Sequence, residues 1–338
     1  MAMRRTVLYL ALLITITSYG QDSLPILDMH LHALPAALNG PPPTAICVPP
    51  EEMPAHDPAV SWAEGFNEYL HKPNCDNPIW GSATDKEVMD KTLTILKKHN
   101  IYGVTSGSLI DEYMAKGGER IIPGLHFNFF MTDISPKKIK ELLSSGKYKV
   151  FGEVAIQYNG VSPSDPKFEP YAQIAEELDI PLGIHLGTGP PGAAYLPGFG
   201  NYRAKLHSPL LVEELLMRHP KLRTYLMHAG YPMIDDLLAV LWTHPQVYVD
   251  VGVICYAIPR KAFHEYLRRI VDAGYGKRVM FGSDQMNWPE TIEVGLEAIY
   301  TADFLNKEQK RDILYNNAAR FLRLSKQEID KHHGVTSN

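Results

Sequence analysis

Eight short apolar stretches alternate with helical patterns along this chain, and that alternation restricts the fold more than any other feature. The strand-like stretches fall at 26–32, 102–106, 121–130, 150–158, 181–186, 222–228, 247–254 and 278–284. Helical signals fill the intervals, from a Thr84 to Glu87 capping box and a Ser135-Pro136 start to helices opening at Pro289 and Asn306. Strict alternation predicts parallel strands joined by crossover helices. Eight such units in 338 residues predict an α/β chain folded as a single-domain (β/α)8 TIM barrel. The competing arrangement is an open doubly wound sheet, which usually carries a glycine-rich phosphate turn after its first strand. Here the first strand runs instead into Asp28-Met29-His30-Leu31-His32. The barrel is favoured.

Three other segments have distinct patterns. Residues 1–20 read as a signal peptide: a basic start (Arg4-Arg5), an apolar core from Thr6 to Thr17, and small residues before Gln21. The expectation is export to a periplasmic or extracellular space, with residues 21–338 as the mature barrel and no stable membrane insertion after cleavage. Residues 33–83 form a proline-rich irregular insertion after strand one, with Trp62, Phe66, Tyr69 and Trp80 as packing groups. A loop this long inside a domain is usually functional or disordered, and its aromatics favour an ordered lid or wall. Cys47 and Cys75 both lie in it and would close a disulfide in an oxidising compartment, which leaves Cys255 unpaired.

Composition excludes one class of partner. The net charge is −5, and no run of Lys or Arg stands out, so the phosphate-neutralising surface of a nucleic-acid binder is missing. A small-molecule substrate is expected, and a homo-oligomer stays open.

In a barrel of this kind, chemistry gathers at the C-terminal ends of the strands. Strand one ends in His30 and His32, which leave a strand on the same face. Strand four carries Glu153, strand five ends in His185, strand six in His228 and strand eight in Asp284. Four imidazoles and two carboxylates suit zinc, manganese, iron or nickel, and no thiolate is offered. Six ligands exceed what one catalytic ion needs, since a position must stay open for water. Two ions are therefore favoured over one, with zinc the expected metal. Glu153 would bridge ions roughly 3.5–4 Å apart. One ion would take His30, His32 and Asp284, the other His185 and His228. Asp28 reads as structural, and His126 and His207 as the only other histidines in reach of the pocket. Asp250, in Val249-Asp250-Val251, has no assigned role.

Asp-Met-His-Leu-His on strand one, single histidines after strands five and six, and Gly282-Ser283-Asp284 on strand eight resemble the amidohydrolase superfamily. The likeness is closest to its amidohydrolase-related branch, which includes the aminocarboxymuconate-semialdehyde decarboxylase-like proteins. The stretch from Leu314 to Leu322 resembles that branch's C-terminal helix. Many binuclear members place a carboxylated lysine on strand four. Gly152-Glu153-Val154 looks instead like the bridging glutamate of TatD-type deoxyribonucleases. The resemblance implies a metal-dependent hydrolase in which Asp284 shuttles the proton of an activated water. With a single ion, it implies that His228 acts as the base.

The substrate is less defined. Tyr158, Tyr195, Arg203 and Trp288 are the candidate substrate-binding residues, aromatic walls with a cation that suit a small organic anion. A lactone, ester or amide is the expected substrate, in that order. The alternatives are a non-oxidative decarboxylase on the same scaffold, a phosphodiesterase, and a catalytically inactive secreted binding protein.

Overall fold

Caps start the helices where the sequence places them. Thr84 is extended, its hydroxyl accepts the Glu87 N–H, and the Glu87 carboxylate accepts the Thr84 N–H, so helix Asp85–Lys98 begins with two otherwise orphan donors satisfied. Ser135 caps helix Pro136–Ser144 with a single bond, its hydroxyl accepting the Lys138 N–H, and proline occupies the first turn. The computed structural model describes residues 24–187 and 189–335. The expected signal peptide lies outside these residues. Among the described residues no helix is long and apolar enough to cross a membrane.

Eight parallel strands form one sheet in chain order. They are β1 (Ile26–His32), β2 (Ile101–Ser106), β3 (Ile121–Phe127), β4 (Val150–Val154), β5 (Leu182–His185), β6 (Thr224–Met227), β7 (Tyr248–Asp250) and β8 (Val279–Met280). The ends of the sheet meet. Met29 N donates to Phe281 O at 2.9 Å and Asp284 N to His30 O at 2.6 Å. Asp28 fastens the same seam, its Oδ1 accepting from His30 N at 2.9 Å and Ser283 N at 3.0 Å. The result is the TIM barrel that the alternation predicts.

Two apolar layers follow from the two faces of the strands. Ile26, Leu31, Ile101, Ile121, Leu125 and Phe127 belong to the layer that packs against the helices. Leu27, Met29, Val104, Val150, Tyr225 and Met280 fill the lumen, together with Tyr315 and Ala318 at the C-terminal end of the chain. The Asn317 amide donates to Gly276 O and Val279 O, beside the start of β8, so helix Asn317–Leu322 stops the bottom of the barrel. Tyr225 crosses the lumen and donates to Met29 O at 3.2 Å. Gly183 makes room for it: a Cβ there would sit 2.6 Å from the Tyr225 hydroxyl. Above this ring only the C-terminal mouth is left for chemistry.

Some strands are shorter than their apolar runs. The run at 247–254 gives a strand only to Asp250, because Asp250 Oδ1 accepts the Gly252 N–H at 2.9 Å and turns the chain into helix Ile254–Ala257. The run at 150–158 stops at Val154, and a 3-10 turn covers Ile156–Asn159. Of 278–284, only Val279–Met280 is ladder.

Segment 33–83 carries a two-stranded antiparallel ribbon (Ala45–Ile46 with Ile79–Trp80), the helix Trp62–His71 and the Cys47–Cys75 disulfide. It is tied to the barrel rim where Trp288 Nε1 donates to Thr44 O at 3.0 Å and Asn287 Nδ2 to Ala36 O at 3.1 Å. Across the mouth, Trp62 Nε1 donates to Pro191 O at 2.9 Å, in the loop after β5. Gly192 has φ +69°, and a Cβ there would strike the Trp62 indole, so glycine is required.

Candidate metal centre

The six side chains picked from the strand ends come together in the barrel mouth, all buried. His30 and His32 reach it because the register of β1 against β2 shifts between Asp28 and Leu31. A similar shift in β4, between Phe151 and Val154, accompanies the entry of Glu153. Three overlapping triads have ligand atoms within 4.8 Å of one another: His30, His32 and Glu153; Glu153, His185 and His228; and His30, His228 and Asp284.

Glu153 is common to two triads. Its Oε1 lies 2.6 Å from His185 Nδ1, 3.7 Å from His228 Nε2 and 3.9 Å from His30 Nε2, and its Oε2 lies 3.7 Å from His32 Nε2. Asp284 Oδ1 is 2.9 Å from His32 Nε2 and 3.8 Å from His30 Nε2. His228 Nε2 lies 2.9 Å from His185 Nδ1. Burial pushes the Glu153 carboxyl upward, but the His185 hydrogen bond and the neighbouring His228 and His30 imidazoles outweigh it and hold the group well below the usual range. Burial alone would lower His30; Asp284, Asp250 and Glu153 raise it to about 10. Such an array of buried donors and carboxylates is costly unless paired. A divalent cation fits it: the donor set is imidazole and carboxylate, and His30 Nε2 has no hydrogen-bond partner.

Groups behind the six set their orientation. His228 Nδ1 lies 2.9 Å from Gly252 O, so that nitrogen carries the proton and Nε2 keeps its lone pair. Asp250, to which the sequence assigned no role, is fully buried beneath the cluster. Its Oδ2 lies 3.2 Å from His30 Nδ1, and its Oδ1 accepts the His228 N–H at 3.0 Å. Gln285 clamps the end of β1, accepting from His32 N at 3.0 Å and donating to His32 O at 2.7 Å. The Tyr256 hydroxyl donates to Asp284 O. Asp28 faces the backbone seam, and burial raises it to about 7 against hydrogen bonds from Ser283 and His30.

This arrangement has a counterpart among known sequences. The family model described as amidohydrolase matches residues 27–324. The chain belongs to the amidohydrolase family. Its His, Glu and Asp clusters are groups that could hold a metal ion. Protein fluG of Emericella nidulans is 22% identical over 162 residues, 44% of this chain; the match spans only 18% of that relative's length. The fold is similar to that of a probable 2-pyrone-4,6-dicarboxylic acid hydrolase from Acinetobacter baumannii. The TM-score is 0.55 at 13% identity, over 88% of this chain and 99% of the other. It is also similar to 5-carboxyvanillate decarboxylase from Novosphingobium aromaticivorans, complexed with manganese and 4-hydroxy-3-methoxy-5-nitrobenzoic acid. There the TM-score is 0.54 at 13% identity, over 90% and 97% of the two chains.

In this amidohydrolase the four candidate substrate residues divide. The Tyr158 ring lies 4.9 Å from His185, 5.0 Å from Phe199 and 5.6 Å from Tyr202, which makes it a wall of the mouth. Trp288 is buried and spends its indole N–H on Thr44 O. Tyr195 is 78% exposed. Arg203 folds back on its own loop, donating to Gly200 O and Tyr202 O, because no carboxylate pairs with it among the described residues. His207, fully buried, packs 5.3 Å from His185 and 4.9 Å from Tyr202. Burial drives its pKa down to about 2, so it is neutral.

Proposed function

We propose that the chain is a hydrolase that cleaves a C–O or C–N bond of a small organic substrate, using two divalent ions, zinc by preference. A lactone, ester or amide is the substrate class. The observation that supports it is the Glu153 carboxylate, common to the His30–His32 group and the His185–His228 group. His30, His32, Glu153, His185, His228 and Asp284 would hold the ions. Bound there, they would polarise the scissile carbonyl and bring the pKa of water near 7.

The protein's own part is orientation and proton traffic. Asp250 and Gly252 O fix His30 and His228 with their Nε2 atoms toward Glu153. Asp284 takes the proton of the attacking water as its oxygen bonds to the carbonyl carbon. The bond to the leaving oxygen or nitrogen then breaks, and Asp284 returns the proton to it. With one ion, His228 is the base instead. Tyr158 and its ring neighbours exclude water on one side.

A second reading is decarboxylation, favoured by the fold likeness to 5-carboxyvanillate decarboxylase. Metal-loaded protein offered lactones, esters, amides and aromatic carboxylic acids separates the two. Hydrolysis without CO2 release is expected; CO2 release from the acids with every ester bond left intact would overturn the hydrolase reading. The reading includes export. The basic and apolar N-terminal residues and the Cys47–Cys75 pairing support it, since disulfides persist in oxidising compartments. Sequencing of exported protein should begin at Gln21, and an uncleaved N-terminus would count against it.

A further inference from the structure

At the end of β3, His126 carries a hydrogen-bond donor that no described part of the chain uses. Ile121, Leu125 and Phe127 pack outward against the helices, and Ile122 packs with the lumen layer. The two-residue period of a strand therefore sends Gly124 and His126 to the lumen side. There the charges of Glu153, His32, His30 and His185 all act on the ring.

Asn128 sets the tautomer. The backbone N–H of Phe130 donates to Asn128 Oδ1 at 2.9 Å, which turns the amide nitrogen toward His126 Nε2 at 3.1 Å. An amide NH2 only donates, so Nε2 must accept and the ring proton sits on Nδ1. That nitrogen is shielded from solvent and meets no acceptor among the described residues. Burial, the largest influence, drives the pKa of His126 down to about 4. At neutral pH the group is an uncharged N–H donor on the lumen side of β3, where the charges of Glu153, His30, His32 and His185 reach it.

We propose that His126 Nδ1–H is a substrate contact, donating to a carbonyl or carboxylate oxygen held over the six-residue cluster, with Asn128 as its positioning residue. An ammonium or amide N–H would leave the donor unmatched, so the ligand group is an oxygen acceptor. The inference rests on the six-residue cluster being the reaction site. Acetate is a suitable probe, because hydrolysis of a lactone, ester or amide leaves a carboxylate.

The experiment is NMR of zinc-loaded protein with 15N-labelled histidine, titrated with acetate at pH 7. Wild type should show His126 protonated on Nδ1 and not on Nε2, with the N–H signal shifting as acetate binds. Asn128→Asp offers an acceptor to Nε2, moves the proton there and should weaken acetate about tenfold, the scale of one hydrogen bond. His126→Leu should lose about as much. His126→Asn keeps an N–H near the Nδ1 position and should retain most of the affinity. Zinc content should stay constant throughout. An Nε2-protonated ring in wild type, a wild-type signal that ignores acetate, or unchanged affinity in Asn128→Asp would each overturn the inference. Should His126→Leu fail to fold, the tautomer inversion in Asn128→Asp still decides. Neither readout needs turnover. A protein that holds acetate through His126 but hydrolyses nothing keeps this inference and loses the hydrolase reading, and an active hydrolase whose His126 ignores acetate does the reverse.

Discussion

Asp250 touches both ends of the imidazole cluster, through His30 Nδ1 at 3.2 Å and the His228 backbone N–H at 3.0 Å. Partners of this kind fix the tautomer and ring direction of a metal ligand, and their loss typically costs 10–100-fold in metal affinity. Asp250→Ala should therefore weaken zinc about 10–100-fold in a chelator-competition titration while the six candidate ligands remain; unchanged affinity would leave Asp250 a purely structural carboxylate. Gly183 makes a different demand. A Cβ there would lie 2.6 Å from the Tyr225 ring, which is locked between β6 and β1. Gly183→Ala should cost about 1–3 kcal/mol by overpacking, read as a lower Tm, and an unaltered Tm would mean that Tyr225 is free to move. Five of the six residues that the sequence yielded were at strand exits, where an apolar run stopping at His or Asp marks one position on one face. Glu153 lies inside its run and was singled out by the resemblance of Gly152-Glu153-Val154 to a bridging glutamate. Asp250 escaped because it lies inside such a run, and strand parity alone does not say whether it faces the lumen. Only the turn at Gly252 shows that it does.

Two elements hold the ends of the barrel, and each has its own weakness. At the mouth, Cys47 and Cys75 are 28 residues apart, a spacing for which the chain-entropy account gives about 3–4 kcal/mol. The ribbon they bracket is small, so reduction should open segment 33–83 locally. Limited proteolysis under reductant should cut first between Cys47 and Cys75, and equal cutting rates with and without reductant would deny the disulfide that role. At the bottom, helix Lys326–His332 ends with His332 stacked on Tyr102 at 3.8 Å and its Nδ1 3.0 Å from the Tyr315 hydroxyl. Burial lowers His332 to about 4. Its folded pKa lies below its unfolded one, so the unfolded chain binds the extra proton first as pH falls. This contribution is complete above about pH 6.5 and is lost between there and about pH 4. Tm should drop over that window, and His332→Gln should flatten part of the drop; an identical profile in the variant would remove His332 as the cause. Helix starts were legible because capping chemistry is local, as at Thr84 and Ser135. Strand ends were not, because the apolar runs continue past them: β7 stops where Asp250 Oδ1 accepts the Gly252 N–H, and β4 gives way to a 3-10 turn inside its run.

The whole molecule is a scaffold whose closure builds its site. The β1–β8 seam brings His30 and Asp284 together: Asp284 N donates to His30 O, so the last strand delivers its carboxylate beside the first strand's imidazoles. Strand order was legible from alternation alone. The loops that roof the mouth were not, since segment 33–83 and the stretch from Gly187 to His207 have no periodicity, and the exposure of Tyr195 and the self-bonding of Arg203 depend on how they fold. At this scale the central claim is that Glu153 joins two metal positions. The direct measurement is elemental analysis of mature protein purified without chelator, as ions per chain, beside Glu153→Gln. The account predicts about two ions per chain in wild type and a clear fall in the variant. A single ion in wild type, kept in full by Glu153→Gln, would contradict it.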